Sequence, residues 1–248
     1  DGKAEYIFAG SASSTTDAVV VAAKGSTAGF SQLAGGSNNY TIYKNGTLAT
    51  VKDLRKHDVA TYSSATNTIR VCDTRVTVYY EACTPNPSAP TKITVLGGTE
   101  LSVLPSALDT LSKFKPGDQM TLLLTADGQV AGAVQSNGTN GARGNAVGVV
   151  SDSGTVQMFC GGTTVSLAGS ADGAFNGQVV RISSTSSAGV SLSKLSGGLN
   201  GDLDVSGRKL GNRNLAENVM VFMDGSLINL SQLTSGSVPS GEITYARA

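Results

Sequence analysis

The sequence predicts an all-β protein made of tandem small β-barrel modules with very little helix. Short runs of alternating apolar and polar residues recur along the 248-residue chain, separated by Gly, Asn, Asp and Pro, as is typical of half-buried strands. Asn-Gly and Asp-Gly pairs stand where hairpin turns would join these runs. Longer segments repeat in the order A-B-B-A, which indicates a modular architecture.

The repeats divide the chain into regions. Residues 1–39 are assigned to an N-terminal β segment that belongs to neither repeat. A first β-barrel region, residues 40–134, holds a type A module and then a type B module. A second, residues 146–248, holds type B and then type A. Each repeat offers about five strands, enough for a small closed barrel without exposed strand edges.

Type A is defined by "YTIYKNGTLATV" and "VMVFMDGSLINL", each an apolar strand followed by an Asn-Gly or Asp-Gly hairpin. Type B is defined by "KITVLGGTELSV" and "VQMFCGGTTVSL", each of which continues through a phenylalanine and a glycine turn into a further hairpin. The segment between the two regions, residues 135–145, reads "QSNGTNGARGN". It is polar and Gly-rich with nothing to bury, and it is therefore predicted to be a linker.

Three dipeptides are predicted to be type I′ hairpin turns, because Asn, Asp and Gly tolerate positive φ: Asn45-Gly46, Asp127-Gly128 and Asp224-Gly225. The segment Ser106–Phe114 is predicted to be a short helix with Ser106 as its N-cap, burying Leu108 and Leu111.

In "FKPGDQMTLLL", Pro116 and Gly117 are predicted to form the centre of a type II turn, which Asp118 caps. The apolar residues after the turn alternate toward the core. Phe114 is expected to be buried just before this turn, and Phe175 before the matching glycine turn of the second type B module.

Composition limits the classes of partner. Eighteen basic and eighteen acidic residues cancel, so the chain lacks the basic field that binding to nucleic acid or an anionic membrane requires. No apolar run approaches the roughly 20 residues that span a bilayer. A surface of Ser, Thr, Asn and Gly suits extracellular or cell-surface β proteins. No signal peptide is recognised, so an exported protein would be represented by its mature chain or a fragment.

The reactive residues form no recognisable constellation. The three cysteines, Cys72, Cys83 and Cys160, have no zinc-site spacing and are interpreted as unpaired thiols. His57, the single histidine, has no nucleophile and carboxylate evident around it. "DLDVSG", residues 202–207, begins like a calcium loop, but Arg213 occupies the position of the bidentate acid. No catalytic, cofactor-binding or metal-ligating residue is assigned.

Several stretches resemble surface proteins of clostridial gut anaerobes that carry S-layer homology modules elsewhere in their chains. The stretches are "DVATYSSATNTIRVCDTRVTVYYEACTPNPSAP", "FKPGDQMTLLL" and "RKLGNRNLAENVMVF", and the likeness covers most of residues 40–248. The resemblance implies a secreted, envelope-associated protein whose β modules space or display something outside the cell. The S-layer homology module itself is not among these residues, and the family offers no catalytic residues.

We therefore expect a non-enzymatic, extracellular structural or display scaffold of the bacterial cell surface, without cofactors. Its expected partners are cell-wall or surface glycans or neighbouring copies of the protein. A first alternative is a glycan- or host-binding adhesin module, based on tyrosine-containing strands such as the one with Tyr79 and Tyr80. A second alternative, a secreted glycosidase-type enzyme, would need paired carboxylates in a cleft, and the chain has no Trp for sugar stacking.

Overall fold

A computed structural model describes residues 17–161, 163–186, 189–195, 200–215, 219–223, 226–233 and 236–240. Strands prevail over short helices in these residues, which confirms the all-β class. None of the helices described is long and apolar enough to cross a membrane.

The strands of the first half are β1 (Val19–Val20), β2 (Thr41–Lys44), β3 (Thr47–Ala49), β4 (Val59–Ser63), β5 (Thr68–Cys72), β6 (Arg75–Tyr79), β7 (Ala82–Thr84), β8 (Lys92–Val95), β9 (Thr99–Ser102), β10 (Gln119–Leu124) and β11 (Val130–Val134). Those of the second half are β12 (Val147–Val150), β13 (Thr155–Cys160), β14 (Thr163–Ser170), β15 (Val179–Thr185), β16 (Gly189–Lys194), β17 (Leu203–Asp204), β18 (Lys209–Leu210), β19 (Arg213–Asn214), β20 (Met220–Met223), β21 (Ser226–Asn229) and β22 (Ser237–Val238). The α-helices are α1 (Phe30–Leu33) and α2 (Leu108–Leu111), and 3-10 helices span Val51–Asp53, Pro105–Ala107, Gly173–Phe175 and Leu230–Gln232.

The N-terminal sheet has the strand order β1-β4-β5-β2-β3. Its pairs are antiparallel except for β2 with β5, which run parallel. One face of the sheet packs on a small apolar core that contains Phe30 of α1, Ile42 of β2 and Ile69 of β5. Because Val21 and Phe30 belong to this core, residues from both sides of position 40 share it.

The largest apolar core lies among three further sheets, with strand orders β11-β10-β6, β7-β8-β9 and β14-β13-β12-β15-β16. Its members come from both sides of residues 135–145 and include Val76, Met120, Met158 and Val180, none of which is exposed. The division of the chain into two barrel regions stays a prediction, although the apolar core itself is continuous across that segment.

The predicted closed barrels are not found. In the described residues every sheet is open, and the C-terminal strands form two small sheets, β19-β18-β17-β22 and β20-β21. Sheets that pack face to face bury their apolar faces without closure, so period-two alternation alone did not distinguish packed open sheets from barrels. The A-B-B-A repeat pattern stays a prediction.

The predicted type I′ turn at Asn45-Gly46 is confirmed, with φ of 49° and 84° between the paired strands β2 and β3. Asp127-Gly128 also joins two paired strands, but only Gly128 has positive φ, so the type I′ prediction is wrong there. Gly128 N–H donates to Thr125, whose own N–H donates to Gln129. These bonds define a three-residue loop with a glycine bulge. Asp224-Gly225, between β20 and β21, lies outside the described residues.

The predicted type II turn is confirmed. Gly117 has a φ of 96°, and the Asp118 N–H donates to the Lys115 carbonyl over 3.0 Å. The Asp118 carboxylate accepts the Lys115 N–H, also at 3.0 Å, and so caps the turn as predicted. Phe114 is buried, whereas Phe175 is only half-buried. The prediction of a buried phenylalanine is therefore right for the first type B module and wrong for the second.

The helix predicted over residues 106–114 has its N-cap two residues earlier than expected and ends at Leu111. Leu104 is the N-cap and Pro105 occupies the first turn of a 3-10 helix that leads into α2. Proline suits this position because its φ is already helical and its missing N–H would be unbonded there. The N-cap prediction for Ser106 is therefore wrong. Its N–H donates to Asp17 instead, and of the two predicted leucines Leu111 is buried and Leu108 half-buried.

Candidate functional site

A cleft of about 420 Å³ lies on the face of the N-terminal sheet that is turned away from its apolar core. Strands β2 and β5 and the segment Thr66–Thr68 line one side, and residues around Ala126 and Gly161 line the other. The cleft therefore lies where the N-terminal sheet meets loops that belong to later strands. Its lining includes Tyr43, Thr66, Thr68, Arg70, Gly161 and Thr163.

Strand pairing explains why these side chains share one face. In the parallel pair of β2 and β5, Thr41 is opposite Thr68 and Tyr43 is opposite Arg70. Side chains alternate between the faces of a strand, so the residues between them, Ile42 and Ile69, point into the core instead. The alternation that buries isoleucine thus directs a tyrosine and an arginine into the cleft.

Tyr43 forms the aromatic side of the cleft, and 37% of its surface is exposed. Across the β2–β3 hairpin it faces Leu48, which is 64% exposed. Two large side chains therefore lie next to each other in solvent at the edge of the sheet. Burying either would be favourable by the hydrophobic effect, so this edge offers apolar contact area to a ligand.

The charged residue that lines the cleft is Arg70, which pairs with Asp127, the residue that follows Ala126 of the lining. Two guanidinium nitrogens of Arg70 lie 3.3 and 3.2 Å from the two carboxylate oxygens of Asp127, in a two-point contact. Both side chains are partly exposed, at 31% and 25%. Arginine has five N–H donors and a carboxylate accepts about four hydrogen bonds, so the pair retains donors and acceptors for a third group.

Glycine lets the covering loops approach the sheet. Gly161 has a φ of 51°, and a Cβ there would lie 3.0 Å from Ala126 and 3.2 Å from the Cys72 Sγ. At Gly128, a Cβ would lie 2.4 Å from a methyl carbon of Val165. A side chain at either position would clash with these neighbours, so both positions favour glycine.

A second, smaller cavity of about 180 Å³ shares Gly161 with the cleft. Its polar groups are already bonded to one another. The Asn45 amide donates to the Asp73 carboxylate over 3.0 Å, and the Asn145 amide donates to the Asp73 carbonyl, also over 3.0 Å. Because these groups hold the chain together, this cavity offers less bonding capacity to a ligand than the cleft does.

Lys44 forms the most buried ion pair of the described residues. Its Nζ lies 2.7 Å from the carboxylate of Asp58, which is 1% exposed, and 3.9 Å from that of Asp73. The second Asp58 oxygen accepts no hydrogen bond in the described part of the chain. The Arg55 N–H donates to the same carboxylate over 2.8 Å. This pair lies beneath the sheet and holds the turn between β3 and β4.

His57 lies outside the cleft. It has a φ of 73°, and its N–H donates to the Val21 carbonyl over 2.9 Å. Burial lowers its pKa below the ordinary value of 6.5, and the positive charges of Lys56 and Arg75 lower it further. The structure thus places the histidine in a strained turn beside other cations.

The two aspartates of "DLDVSG" also hold backbone. One Asp202 oxygen accepts the Ser240 N–H at 2.9 Å, and one Asp204 oxygen accepts the Gly207 N–H at 2.7 Å. Arg213 begins β19. Each aspartate therefore stabilises a local turn or strand contact through a backbone N–H.

The tyrosine pair and the cysteines are largely internal. Tyr80 is 2% exposed and belongs to the main core, while Tyr79 is half-buried. Burial, together with a hydrogen bond to the Cys83 side chain, raises the pKa of Tyr80. All three cysteines are free thiols. Cys72 and Cys160 are fully buried, and burial raises the pKa of each.

Sequence reasoning missed the cleft residues. In the sequence, Asp127 is recognisable only as a turn residue and Tyr43 only as part of a strand. One signal was present, because Arg70 stands between Ile69 and Val71 and so had to face away from the core. The parallel pairing that brings Arg70 beside Tyr43 left no local mark in the sequence.

Comparisons of the chain with models of known protein families, with curated proteins and with solved structures find no match. The resemblance to clostridial surface proteins therefore stays a prediction.

Proposed function

We propose that the chain is a non-enzymatic structural or display scaffold of the bacterial cell surface, built from tandem small β modules. A scaffold needs rigid connections between its modules, since a flexible joint would not hold a fixed spacing. The observation that supports the proposal most is the set of hydrogen bonds that ties residues 135–145 to the preceding strands. Expected partners are surface glycans or neighbouring copies of the chain.

Asn145 makes this connection with both its side chain and its backbone. Its side-chain oxygen accepts the Arg75 N–H at 2.7 Å, and its amide donates to the Asp73 carbonyl at 3.0 Å. The backbone N–H groups of Asn145 and Ala146 both donate to the Arg75 carbonyl. The Gly144 N–H donates to the hydroxyl of Thr77. The end of the predicted linker, residues 135–145, is therefore hydrogen-bonded to β6.

Two glycine turns support the repeated type B module. The Gly117 N–H donates to the Tyr80 carbonyl, and the Tyr80 N–H donates to the Asp118 carbonyl. In the same way, the Gly177 N–H donates to the Val150 carbonyl, and the Val150 N–H donates to the Gln178 carbonyl. In both places a glycine turn pairs with the residue at the end of a strand, as expected if one supersecondary unit occurs twice.

The enzyme alternative receives less support. Asp58 and Asp73 both lie near Lys44, but the Asp58 carboxylate is 1% exposed. A catalytic carboxylate of a glycosidase must reach the glycosidic bond, and this one is covered. The adhesin alternative is favoured by a different observation, the cleft beside Tyr43.

The scaffold proposal is tested by loosening the connection. Asn145→Ala removes the side-chain bonds to Asp73 and Arg75, and we expect limited proteolysis to cleave residues 135–145 faster in this variant. Asn137→Ala, at an exposed position in the same segment, is the matched control and should leave the cleavage rate unchanged. Equal rates in the two variants would contradict a rigid connection.

Location and shape are tested separately. Membrane-impermeant biotin applied to intact cells that make the protein should label it, since the proposal places it outside the cell. Small-angle scattering of the purified chain should give an elongated particle. Labelling only after cell lysis, or a compact spherical particle, would count against the scaffold.

A further inference from the structure

We propose that the cleft between Tyr43 and Gly161 binds a neutral saccharide. This inference rests on the adhesin alternative and deepens it, since it names the site and the chemical class of the ligand. The volume of about 420 Å³ lies within the range of about 300–1,000 Å³ that is usual for small-molecule sites. The cleft is also partly open, so it suits the end or edge of a glycan chain.

The aromatic ring supplies the apolar contact. A hexose ring has one face of C–H groups that carries a small positive charge, and the face of an aromatic ring is negative. Stacking the two buries apolar surface on both partners. Strand pairing on both sides, opposite Arg70 in β5 and Leu48 in β3, fixes the backbone of Tyr43, so only side-chain freedom is lost on binding. The exposed Leu48 beside it extends the apolar platform.

The pair of Arg70 and Asp127 supplies the polar contact. Neighbouring hydroxyls of a sugar act as donors and acceptors at once, and they need both kinds of group side by side. The guanidinium and the carboxylate are held together by two hydrogen bonds, 3.3 and 3.2 Å long. They therefore present fixed N–H donors next to fixed oxygen acceptors. One sugar hydroxyl accepts from Arg70 while its neighbour donates to Asp127.

Threonine hydroxyls complete the walls. The Thr66 and Thr68 hydroxyls lie 2.8 Å apart, and Thr163 donates to the Ala126 carbonyl over 3.0 Å. Each hydroxyl has two acceptor positions besides its donor, so each retains bonding capacity for a ligand. These contacts also fix the hydroxyl positions before a ligand arrives.

Charge balance favours a neutral ligand over an acidic one. Arg70 is the charged residue among those that line the cleft, and Asp127 compensates it at 3.2 Å. A carboxylate or phosphate on the ligand would compete with Asp127 for the guanidinium and would be repelled by it. A hydroxyl carries no net charge and bonds to both groups without separating them.

The test uses the purified chain and measures amide chemical shifts by NMR. The probes are glucose, galactose, mannose, N-acetylglucosamine, cellobiose and lactose, with glucuronic acid and inorganic phosphate as anionic probes. We expect at least one neutral sugar to shift amides of β2, β5 and the Gly161 region in a saturable way. A cleft whose amides respond to no neutral sugar, or only to the anionic probes, would overturn the proposal.

Variants then separate the contacts. Tyr43→Ala removes the stacking ring and should weaken binding of the responding sugar by about tenfold or more, while Tyr43→Phe should retain most of the affinity. Arg70→Ala should weaken it to a similar degree. Arg143→Ala removes an exposed arginine elsewhere and should bind as the parent does.

Each outcome decides the proposal. Affinity unchanged in Tyr43→Ala, or lost equally in Arg143→Ala, would place the sugar outside the cleft and refute it. Thermal unfolding of each variant checks whether the fold is retained, and Arg70→Ala tests the cleft even if Tyr43→Ala is unstable. These measurements do not depend on cellular location or particle shape, so they fail or succeed independently of the scaffold proposal.

Discussion

The turn at Gly117 provides a test in which backbone conformation is the only variable. Gly117 has a φ of 96°, and a Cβ at this position would meet no atom within 4 Å. A substitution therefore costs free energy through the backbone and not through a clash. The turn has no freedom to change type, because Gly117 donates to the Tyr80 carbonyl over 2.7 Å and Tyr80 donates back to Asp118 over 2.9 Å.

The size of the effect follows from these constraints. A left-handed backbone costs a residue with a Cβ about 1–2 kcal/mol. Gly→Ala also removes freedom from the unfolded chain, which offsets about 0.4–1 kcal/mol of that cost. We therefore expect Gly117→Ala to lower the free energy of unfolding by about 1 kcal/mol. Gly117→Val should lower it by about 1–3 kcal/mol. Asparagine tolerates this region best, so Gly117→Asn should cost least of the three.

Urea unfolding followed by circular dichroism measures these differences from the urea concentration at the midpoint, provided that the slope of the free energy of unfolding against urea is the same in each variant. Gly173→Ala is the matched control, because Gly173 is exposed, also has no atom near its Cβ position, and has no left-handed φ. It should be neutral or slightly stabilising. If Gly117→Ala proves as stable as Gly173→Ala, positive φ is not the reason for glycine in this turn.

Three further predictions concern charged and reactive groups. Lys44→Met leaves the buried carboxylate of Asp58 without its cation, so it should lower the free energy of unfolding by about 3–5 kcal/mol. Lys113→Met, which breaks an exposed ion pair, should lower it by less than about 1 kcal/mol. Equal losses of stability in urea unfolding would contradict this prediction. The pKa of His57 is lower in the folded protein, so the unfolded chain binds the proton more tightly and stability should fall as pH decreases through about 6.5. His57→Gly should reduce this loss of stability at low pH, and a steeper loss in that variant would refute the burial argument. His57→Gly should also be about 1 kcal/mol more stable than His57→Ala, because the backbone φ at this position is 73°. Ellman's reagent should label one thiol in the native chain and three in urea, because two of the three cysteines are fully buried.

Local turn chemistry could be predicted from the sequence where a few neighbouring residues decide the backbone. Pro116-Gly117 and Asn45-Gly46 have the predicted conformations, because proline restricts φ and glycine or asparagine tolerates positive φ. Asp127 and Gly128 belong to a three-residue loop instead, and β10 and β11 shift register between Leu123 and Leu124. Local sequence does not reveal such a shift, because it is set by how the two strands pack on distant residues.

The candidate site could not be predicted. Its charged pair joins Arg70 to Asp127, 57 positions apart in the chain, and its aromatic ring comes from a third strand. The adhesin alternative is based on tyrosine-containing strands such as the one with Tyr79 and Tyr80, and Tyr80 lies in the core. The sequence does not single out Tyr43, because a tyrosine on a strand looks the same whether its face is covered by another sheet or open to solvent.

The sequence by itself determined the all-β class, because period-two alternation is a property of neighbouring residues and each strand needs only its own pattern to have one apolar face. Tertiary structure alone decided that β2 pairs in parallel with β5, that the sheets stay open, and that apolar residues on both sides of residues 135–145 share one core. These choices depend on which apolar faces bury each other most completely. That burial sums over residues far apart in the chain, and no single segment encodes it.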